Sequence, residues 1–455
     1  MEAVTNKLQQ VLGGGSTPST NHSVLLLGAG FVTRPTAEVL GNSGVKVTVA
    51  CRTLEKAQAL AKGISNASAI SLDVSNADAL DAEVAKVDLV ISLIPYTYHA
   101  TVIESAIRKK KNVVTTSYVS PAMEALDAQC KEAGITVFNE IGVDPGVDHL
   151  SAVITIDDVH KAGGKILSFK SYCGGLPAPE ASDNPLGYKF SWSSRGVLLA
   201  LRNQAKWWQD GSVKDVNGPE LMAEAKPYFI YPGFAFVAYP NRDSTPYKER
   251  YKIPEAQTII RGTLRYGGFP EYIKTLVDIG FLTEDPKDYL SEGSSISWRE
   301  ATSKIVGAEN DKEESIVWAI SSRTKFSSTE EKNRILDGLR WIGLFSDEKI
   351  TPAKMQYEEG ERDMVMLQHR FEIENKDGSK EVRTETLVDY GDPKGYSSMA
   401  KLVGVPCAVA VQQVLDGTIS QKGVLAPMDP EVCRPLMKIL EDKYDVRFKS
   451  KTIKQ

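Results

Sequence analysis

Two glycines and one arginine carry the most recognisable chemistry of this sequence. Gly28 and Gly30 directly follow the apolar run from Val24 to Leu27. Glycines at such a turn let backbone N–H groups approach a pyrophosphate at the start of a helix, where the helix dipole favours negative charge. Arg52 comes about twenty residues later, where NAD-dependent enzymes carry an acidic residue for the ribose 2′-hydroxyl. Because a guanidinium suits a 2′-phosphate instead, we predict a site for NADPH or NADP.

Four consecutive elements must position these residues. The run from Val24 to Leu27 predicts a strand that is buried on both faces, and Pro35 is tolerated in the first turn of the helix that follows. The alternating stretch from Val45 to Val49 predicts a second strand. Thr33 stands where the usual pattern has its third glycine, so the fingerprint alone is incomplete. The order of strand, turn, helix and strand nevertheless predicts a nucleotide-binding fold.

The alternation of strands and helices continues to about residue 146. Further strands are predicted at Ala69 to Leu72, Val87 to Ile94, Asn112 to Thr115 and Thr136 to Phe138. This order predicts an α/β fold with a Rossmann-type doubly wound parallel sheet. Because such sheets bind ligands outside the carboxyl ends of their strands, the site is expected at Ser71 to Asp73, Ser92 to Tyr96, Thr115 to Tyr118 and Ile141 to Gly146.

The rest of the chain follows different patterns. Mixed, aromatic-rich segments from about residue 147 predict an α+β domain, which the hairpin of Met364 to Ile373 and Val382 to Val388 rejoins. A charged segment of helical period predicts a small helical domain, whose expected core residues are Trp298, Trp318, Leu336, Leu339 and Trp341. An Ala/Val-rich helix near the end is expected to pack onto the nucleotide domain. The predicted ranges are a flexible tail at 1–20, a nucleotide domain at 21–146 and 394–455, an α+β domain at 147–267 and 359–393, and a helical domain at 268–358.

Composition narrows the class of protein. The chain has 455 residues, of which 42% are hydrophobic and 25% charged, as in ordinary globular proteins of two or three domains. A net charge of −5 gives no reason to expect nucleic acid or a membrane as partner. The cysteines are odd in number and lack a C-x-x-C pair, which argues against disulfides and zinc: Cys51, Cys130, Cys173, Cys407 and Cys433. We expect a cytoplasmic protein without a bound metal.

Further polar residues suggest how a substrate is held and protonated. Arg195, Arg242, Arg261 and Arg265 lie among Gly, Ser and aromatic residues, a setting that favours carboxylate binding, and Arg242 and Arg265 are the first choices. The acid/base candidates are Tyr118, Asp144 and Cys173. Each also has a structural interpretation: a core tyrosine, a helix N-cap before a proline, and a small buried hydrophobic residue.

Longer segments point to one family. They are LLLGAGFVTRP, VACRT, SLIPYTYHATVIESAI, TTSYVSPAM, NEIGVDPGVDHL, SYCGGLPAPEASDNPLGYKFSWSSRG, YPNRDSTPY, RGTLRY and GYSSMAKLVGVPCAVA. Together they closely resemble the stand-alone saccharopine reductases of fungal lysine biosynthesis, over almost the whole chain after the tail. The resemblance implies an NADPH-dependent enzyme that joins L-2-aminoadipate 6-semialdehyde and L-glutamate as an imine and reduces it to saccharopine. It also implies a cytoplasmic homodimer of three domains, in which the α+β domain binds substrate and forms the dimer.

The resemblance implies roles for individual residues as well. The residues that match cofactor contacts are Gly28, Ala29, Gly30, Phe31, Val32, Cys51, Arg52, Thr53, Leu72, Asp73, Ile94, Thr115, Thr116, Gly142, Val143 and Trp192. Those that match substrate contacts are Ser117, Tyr118, Asp144, Arg242, Thr263, Leu264 and Arg265. Tyr118, Asp144 and Cys173 match positions near the reacting centre.

One departure and two rival interpretations remain. The family carries a further helical segment between the positions of Ala353 and Lys354, and its loss predicts a repacked helical domain or an impaired product. A related carboxynorspermidine- or homospermidine-forming reductase would act on amines where saccharopine has carboxylates, and the arginine-rich segments argue against it. A non-catalytic NADP-binding scaffold protein is the rival from another class.

Overall fold

A computed structural model describes residues 21–283, 285–290, 295–349 and 355–454. The chain divides into two compact units, which we describe separately. The first unit contains residues up to 167, 248–255 and from 369 onward, and the second contains 168–247 and 256–368. The expected flexible tail and the junction of Ala353 with Lys354 lie outside the described residues.

A parallel sheet forms the centre of the first unit. Its strands are β1 (Ser23–Leu27), β2 (Lys46–Cys51), β3 (Ala67–Ser71), β4 (Leu89–Ser92), β5 (Asn112–Thr115), β6 (Thr136–Phe138) and β15 (Gly423–Leu425). All neighbours are parallel, in the order β15-β6-β5-β4-β1-β2-β3. The order of the first six strands is that of a doubly wound nucleotide-binding sheet, so the predicted fold class is confirmed. The sequence did not predict the seventh strand.

Helices cover this sheet. They are α1 (Arg34–Asn42), α2 (Leu54–Ala61), α3 (Ala77–Val84), α4 (His99–Lys109), α5 (Pro121–Glu124) and α6 (Asp127–Ala133), and α7 (Val147–Lys161) follows them in the chain. Leu25 and Val90 on the strands and Val102, Ile103 and others on the helices share one core cluster. This burial explains why β1 and β4 are almost continuously apolar.

The second unit contains a mixed sheet. Its strands are most of β7 (Lys165–Pro177), then β8 (Ala205–Gln209), β9 (Ser212–Val216), β10 (Lys226–Pro227), β11 (Phe236–Pro240) and β12 (Thr258–Tyr266), and the first half of β13 (Asp363–Glu374). Strand β12 pairs with β7 in parallel and with β11 antiparallel. Its helices are α8 (Ser194–Ala200), α10 (Phe269–Asp278), α11 (Trp298–Val306), α12 (Glu313–Arg323) and α13 (Thr329–Ile342). The short helix α9 (Tyr247–Arg250) begins with the last residue of one segment of the second unit and continues into residues 248–255 of the first.

One hydrophobic core joins two of the predicted ranges of the second unit. Trp207 and Tyr239 of the predicted α+β range belong to the same buried cluster as Ile273 and Leu336 of the predicted helical range. The burial predicted for Leu336 and Leu339 is confirmed. The burial predicted for two tryptophans is wrong, because Trp318 is 73% and Trp341 40% exposed. The three domain boundaries themselves stay predictions.

The end of the chain belongs to the first unit. It contains β14 (Lys380–Tyr390), α14 (Ser398–Leu415), α15 (Pro430–Tyr444) and β16 (Lys449–Lys454), which pairs antiparallel with β14. Among the described residues, α14 is the one helix whose length and composition would allow it to cross a membrane, yet 78% of it is buried inside the protein. It packs against α1, as expected for the Ala/Val-rich helix, so it is a core helix of this unit.

Candidate active site

A glycine turn links β1 to α1. Gly28 has a φ of +111°, and a Cβ atom there would lie 2.5 Å from the carbonyl oxygen of Leu93. Only glycine fits such a position without strain. Around Gly30, by contrast, an added Cβ would meet nothing within 4 Å, and Phe31 is 68% exposed. The turn therefore leaves open space beside the backbone at the start of a helix, which suits the approach of a pyrophosphate.

Thr33 occupies the position of the missing third glycine without clashing. Its side chain is fully buried, and its hydroxyl accepts a hydrogen bond of 3.2 Å from the backbone N–H of Gly30. The close approach comes from α14, where a Cβ on Gly404 would lie 2.8 Å from the carbonyl oxygen of Val32. Thr36 also donates a hydrogen bond of 2.9 Å to the Gly404 carbonyl oxygen. Two helices distant in the sequence thus support the turn.

The predicted 2′-phosphate residues lie at the carboxyl end of β2. Cys51 is half-buried, whereas Arg52 and Thr53 are exposed at the carboxyl end of the strand. The carbonyl oxygen of Arg52 accepts a hydrogen bond of 3.0 Å from the Ser71 hydroxyl, which ties this end to β3. Leu72 is buried, and the carboxylate of Asp73 accepts hydrogen bonds from the backbone and hydroxyl of Ser75, which lower its pKa. An exposed guanidinium at this edge can meet a phosphate.

The ends of β4, β5 and β6 bring the remaining first-unit residues to the same edge of the sheet. Ile94 follows β4, Thr115 ends β5 and Thr116 follows it. A Cβ on Gly142 would lie 3.4 Å from the Thr116 Cβ, so these two predicted cofactor residues are neighbours. Val143 is buried beside them in sequence. Because all these segments follow strand ends of a parallel sheet, they surround the usual position of a dinucleotide.

A buried histidine organises two of these strand ends. His99 is 1% exposed; its Nδ1 lies 2.8 Å from the Ser92 hydroxyl, and its Nε2 lies 2.8 Å from the Ser117 hydroxyl and 3.4 Å from that of Thr115. Burial lowers the pKa of the imidazole to about 4, so the ring is neutral near pH 7. A neutral ring accepts through one nitrogen and donates through the other, which suits hydroxyl partners on both sides. No local sequence pattern indicates these contacts of His99.

Tyr118 and Asp144, two of the acid/base candidates, are brought together. The Tyr118 hydroxyl donates a hydrogen bond of 2.8 Å to Asp144 Oδ1, and both side chains are half-buried. Ser117 directly precedes Tyr118, and its backbone N–H donates to the Thr115 hydroxyl at 3.2 Å. A phenol paired with a carboxylate at a strand end can pass a proton to or from a bound amine.

The other predicted residues lie in the second unit. Strand register places Cys173 of β7 opposite Thr263 of β12, and Thr263 opposite Tyr239 of β11. Leu264 is fully buried and Cys173 is 9% exposed. Trp192, alone among the predicted cofactor residues, also belongs to this unit, where it packs against the buried cluster. The structure thus brings Cys173 and the Thr263 to Arg265 segment together.

Arg265 lies in an aromatic environment. It is 7% exposed; its guanidinium carbon lies 4.8 Å from the ring centre of Tyr188 and 5.3 Å from that of Phe269. Burial raises the pKa values of the Tyr188 and Tyr239 phenols, and the nearby Arg265 cation opposes that rise. Its Nε is buried without a hydrogen-bond partner in the described part of the chain. An arginine with donor capacity to spare can bind a carboxylate.

Arg242 has a different position from Arg265. It is exposed on the turn after β11, has a φ of +56°, and its carbonyl oxygen accepts a hydrogen bond of 2.8 Å from the Lys206 backbone. Arg261, a weaker candidate, is buried against Tyr247 with 4.4 Å between the guanidinium carbon and the ring centre. Arg195 is exposed in the first turn of α8.

Comparisons with known proteins show similarity to one family over nearly the whole chain. Residues 24–138 match the family described as saccharopine dehydrogenase NADP binding domain, and residues 142–445 match saccharopine dehydrogenase C-terminal domain. The saccharopine dehydrogenase (NADP(+), L-glutamate-forming) of Pyricularia oryzae is 67% identical over 447 residues, which are 95% of this chain and 99% of that protein. The mitochondrial alpha-aminoadipic semialdehyde synthase of Bos taurus is 37% identical over 96% of this chain, which spans 48% of that longer protein.

A solved structure agrees with these relatives. The apo saccharopine dehydrogenase (L-Glu forming) of Saccharomyces cerevisiae has a TM-score of 0.86 and 57% identity, covering 95% of this chain and 100% of that one. Among the described residues, no group of three or more His, Cys, Asp or Glu side chains is arranged to hold a metal ion. On the sequence matches and the fold, this chain belongs to the saccharopine dehydrogenase family, with its NADP-binding domain at residues 24–138.

Proposed function

We propose that this protein catalyses the reversible, NADPH-dependent reduction of the imine between L-2-aminoadipate 6-semialdehyde and L-glutamate to saccharopine, a step of lysine biosynthesis. The observation that carries the proposal is similarity over nearly the full length, at 57 to 67% identity, to three proteins named as the NADP-linked, L-glutamate-forming saccharopine dehydrogenase. A match of this extent includes both the nucleotide end and the predicted substrate segments.

The cofactor fits the first unit. Gly28 occupies a cradle that a Cβ would fill, Gly30 leaves room for phosphate oxygens, and Arg52 offers an exposed cation for the 2′-phosphate. When bound, the nicotinamide supplies the hydride for the imine carbon. Residues 115–117 then orient the imine and the nicotinamide. His99 holds the hydroxyl groups of Thr115 and Ser117 in place.

Proton transfers fall to Tyr118 and Asp144 in this proposal. Forming the imine removes a proton from the glutamate amine and expels water from a carbinolamine, so a donor and an acceptor are both needed. The hydrogen bond of 2.8 Å from Tyr118 to Asp144 links two such groups. Cys173 is the third candidate, and its thiol is a weak donor in a buried setting.

Recognition of the substrate depends on carboxylates. Saccharopine carries three of them, whereas the protein has a net charge of −5, so local cations must provide the binding. Arg242 and Arg265 are the proposed cations, assisted by the Ser117 and Thr263 hydroxyls. This demand separates saccharopine from the amine-rich substrates of the carboxynorspermidine- and homospermidine-forming reductases.

The proposal is tested by following NADPH absorbance with purified protein, saccharopine and NADP⁺, and then with NAD⁺. We expect turnover with NADP⁺ and much slower turnover with NAD⁺. Tight NADPH binding without turnover of saccharopine would favour a scaffold protein instead. Turnover of carboxynorspermidine in preference to saccharopine would favour the related reductase.

We also propose a cytoplasmic homodimer, as the resemblance implies. Light scattering after size-exclusion chromatography should then give twice the chain mass of 49.8 kDa. A mass equal to one chain would contradict the dimer.

A further inference from the structure

Glu140 is a fully buried carboxylate with three hydrogen-bond donors around it. Its Oε1 accepts a bond of 3.0 Å from the Val119 backbone N–H. Its Oε2 accepts bonds of 2.9 Å from His149 Nε2 and of 2.9 Å from an Arg250 guanidinium nitrogen. Neither the cofactor residues nor the substrate residues predicted from the sequence include Glu140.

The site is built for an ionised carboxylate. Burial alone would raise the pKa of Glu140, but its hydrogen bond with His149, the Arg250 cation and the Val119 N–H together lower it to about 2. The Glu140 backbone has a φ of +57°, a conformation that non-glycine residues rarely adopt. Strained backbone of this kind persists where the surrounding contacts enforce it, and it is common at functional sites.

Glu140 holds the chain on both sides of Tyr118. Its side chain binds the N–H of Val119, one residue after Tyr118, and its own backbone N–H donates a bond of 3.1 Å to the carbonyl oxygen of Ser117, one residue before. The Ser117 hydroxyl is held in addition by His99 at 2.8 Å. The Tyr118 backbone is thereby fixed between two hydrogen bonds to one residue, and its side chain reaches Asp144.

The opposite side of Glu140 is anchored as well. His149 uses Nε2 for Glu140, and its Nδ1 lies 2.6 Å from the Tyr251 hydroxyl. Arg250 and Tyr251 belong to the short stretch of residues 248–255 that the first unit takes from the middle of the chain. Because a carboxylate must accept from His149 Nε2, that nitrogen carries a proton, and the Tyr251 hydroxyl can donate to Nδ1.

We propose that Glu140 is a positioning residue for the Tyr118 and Asp144 pair, which rests on the function proposed above. The carboxylate accepts hydrogen bonds from Val119, His149 and Arg250, and through Val119 it sets the backbone from which the Tyr118 phenol reaches Asp144. A small misplacement of a catalytic group lowers the rate strongly, since a shift of about 1 Å can reduce kcat about a hundredfold. Loss of the carboxylate should therefore lower kcat through Tyr118.

Glu140→Gln is the informative substitution. Glutamine keeps the size of the side chain and one acceptor oxygen, but its NH₂ group would face either the Val119 N–H or the donors of His149 and Arg250. Donor would then oppose donor on one side of the residue. Glu140→Asp keeps the charge but is shorter by one methylene, so it should recover part of the lost rate.

A double-mutant cycle separates positioning from general stabilisation. We would measure kcat and KM for saccharopine with NADP⁺ in the wild type, Glu140→Gln, Tyr118→Phe and the double variant. If Glu140 acts through Tyr118, Glu140→Gln should lower kcat about tenfold in the wild type and less than about twofold in the Tyr118→Phe background, because effects of coupled residues do not add. The dissociation constant of NADPH should stay within about a factor of two throughout.

The matched control is Glu385→Gln. Glu385 is a carboxylate of the same unit that accepts hydrogen bonds of 2.5 and 2.6 Å from the Ser151 and Thr155 hydroxyls. Its substitution should change stability with no selective loss of kcat in either background. If Glu140→Gln does not fold, Glu140→Asp in both backgrounds takes its place in the cycle.

Three outcomes would overturn the inference. Equal losses in both backgrounds would show that Glu140 acts independently of Tyr118, and unchanged kcat would show that it positions nothing relevant to rate. Wild-type protein that fails to oxidise saccharopine would remove the proposed function, and the inference with it, before any variant is compared.

Discussion

At the residue scale, Arg52 is the residue that we propose distinguishes NADPH from NADH, two cofactors that differ by a single phosphate. Its guanidinium is exposed at the carboxyl end of β2, and its position after the glycine turn led to the prediction of NADP(H). Arg52→Ala should raise KM for NADPH about thirtyfold, because a hydrogen bond between charged groups contributes about 2 kcal/mol. The activity with NADH should change little. Steady-state kinetics with both cofactors measure the two effects.

The control for this prediction is Lys62→Ala, which removes an exposed cation just beyond the end of α2. It should leave the preference for NADPH unchanged. An equal loss with NADPH and NADH in Arg52→Ala would contradict recognition of the 2′-phosphate by this residue.

Tyr118 and Cys173 should each contribute to rate without being indispensable. The hydride and the orientation of the substrates do not depend on either side chain, so Tyr118→Phe and Cys173→Ser should each lower kcat by less than about a hundredfold. Steady-state assays with saccharopine and NADP⁺ provide the measurement. Complete loss of turnover in either variant would refute a distributed acid/base role.

His99 should make the protein less stable in acid. Its pKa falls from 6.5 to about 4 on folding, so between these values the unfolded chain binds a proton that the folded chain does not. The stabilisation is present above pH 6.5 and is lost as the pH falls toward 4, a change on the order of 3 kcal/mol. Denaturant unfolding of wild type and His99→Gln across this range should give a shallower pH dependence for the variant. Identical slopes would show that the imidazole is not the titrating group.

Pattern and position predict some residues of the candidate site and leave others out. Gly28 and Arg52 are detectable because a phosphate site demands certain residue types at a certain spacing. Tyr118 and Asp144 are detectable because they follow strand ends, although their pairing at 2.8 Å is not. Glu140 also follows a strand, but nothing local shows that its partners are His149 and Arg250, the latter 110 residues away.

Among the elements, α14 packs directly against the glycine turn between β1 and α1. Gly404 allows this helix to approach α1 so closely that an added Cβ would lie 2.8 Å from Val32 O and 3.0 Å from Pro35 Cβ. Gly404→Ala should lower the free energy of unfolding by about 1 to 3 kcal/mol and weaken NADPH binding, because the turn must shift. Denaturant unfolding and NADPH titration measure both quantities.

Gly233→Ala is the matched control, since an added Cβ there meets nothing within 4 Å. It should leave both the stability and the NADPH affinity nearly unchanged. A Gly404→Ala protein with wild-type NADPH affinity would show that α14 supports the fold but not the turn.

The elements themselves were predictable where their signal is local. Strands β5 and β6 have the bounds that their apolar runs predict. Strand β15 was missed because it has three residues and pairs with β6 from nearly 290 positions further along the chain. The error at Trp318 has a similar cause: a tryptophan in a helical pattern suggests a core position, but which face of α12 meets the core is decided by tertiary packing.

At the scale of the whole molecule, residues 24–138 match the NADP-binding domain of the saccharopine dehydrogenase family, and residues 142–445 match its C-terminal domain. The proposed reaction is chemically specific, because saccharopine is a secondary amine with two different C–N bonds that an oxidation could open. One direction releases L-glutamate and the semialdehyde, and the other releases L-lysine and 2-oxoglutarate. Binding of NADP(H) alone does not show which of the two C–N bonds the protein opens.

The most direct test is therefore to oxidise saccharopine with the purified protein and NADP⁺ and to identify the amino acid released. The proposed function predicts L-glutamate in an amount equal to the NADPH formed, together with 2-aminoadipate 6-semialdehyde. Release of L-lysine with 2-oxoglutarate, or NADPH formation without L-glutamate, would contradict it.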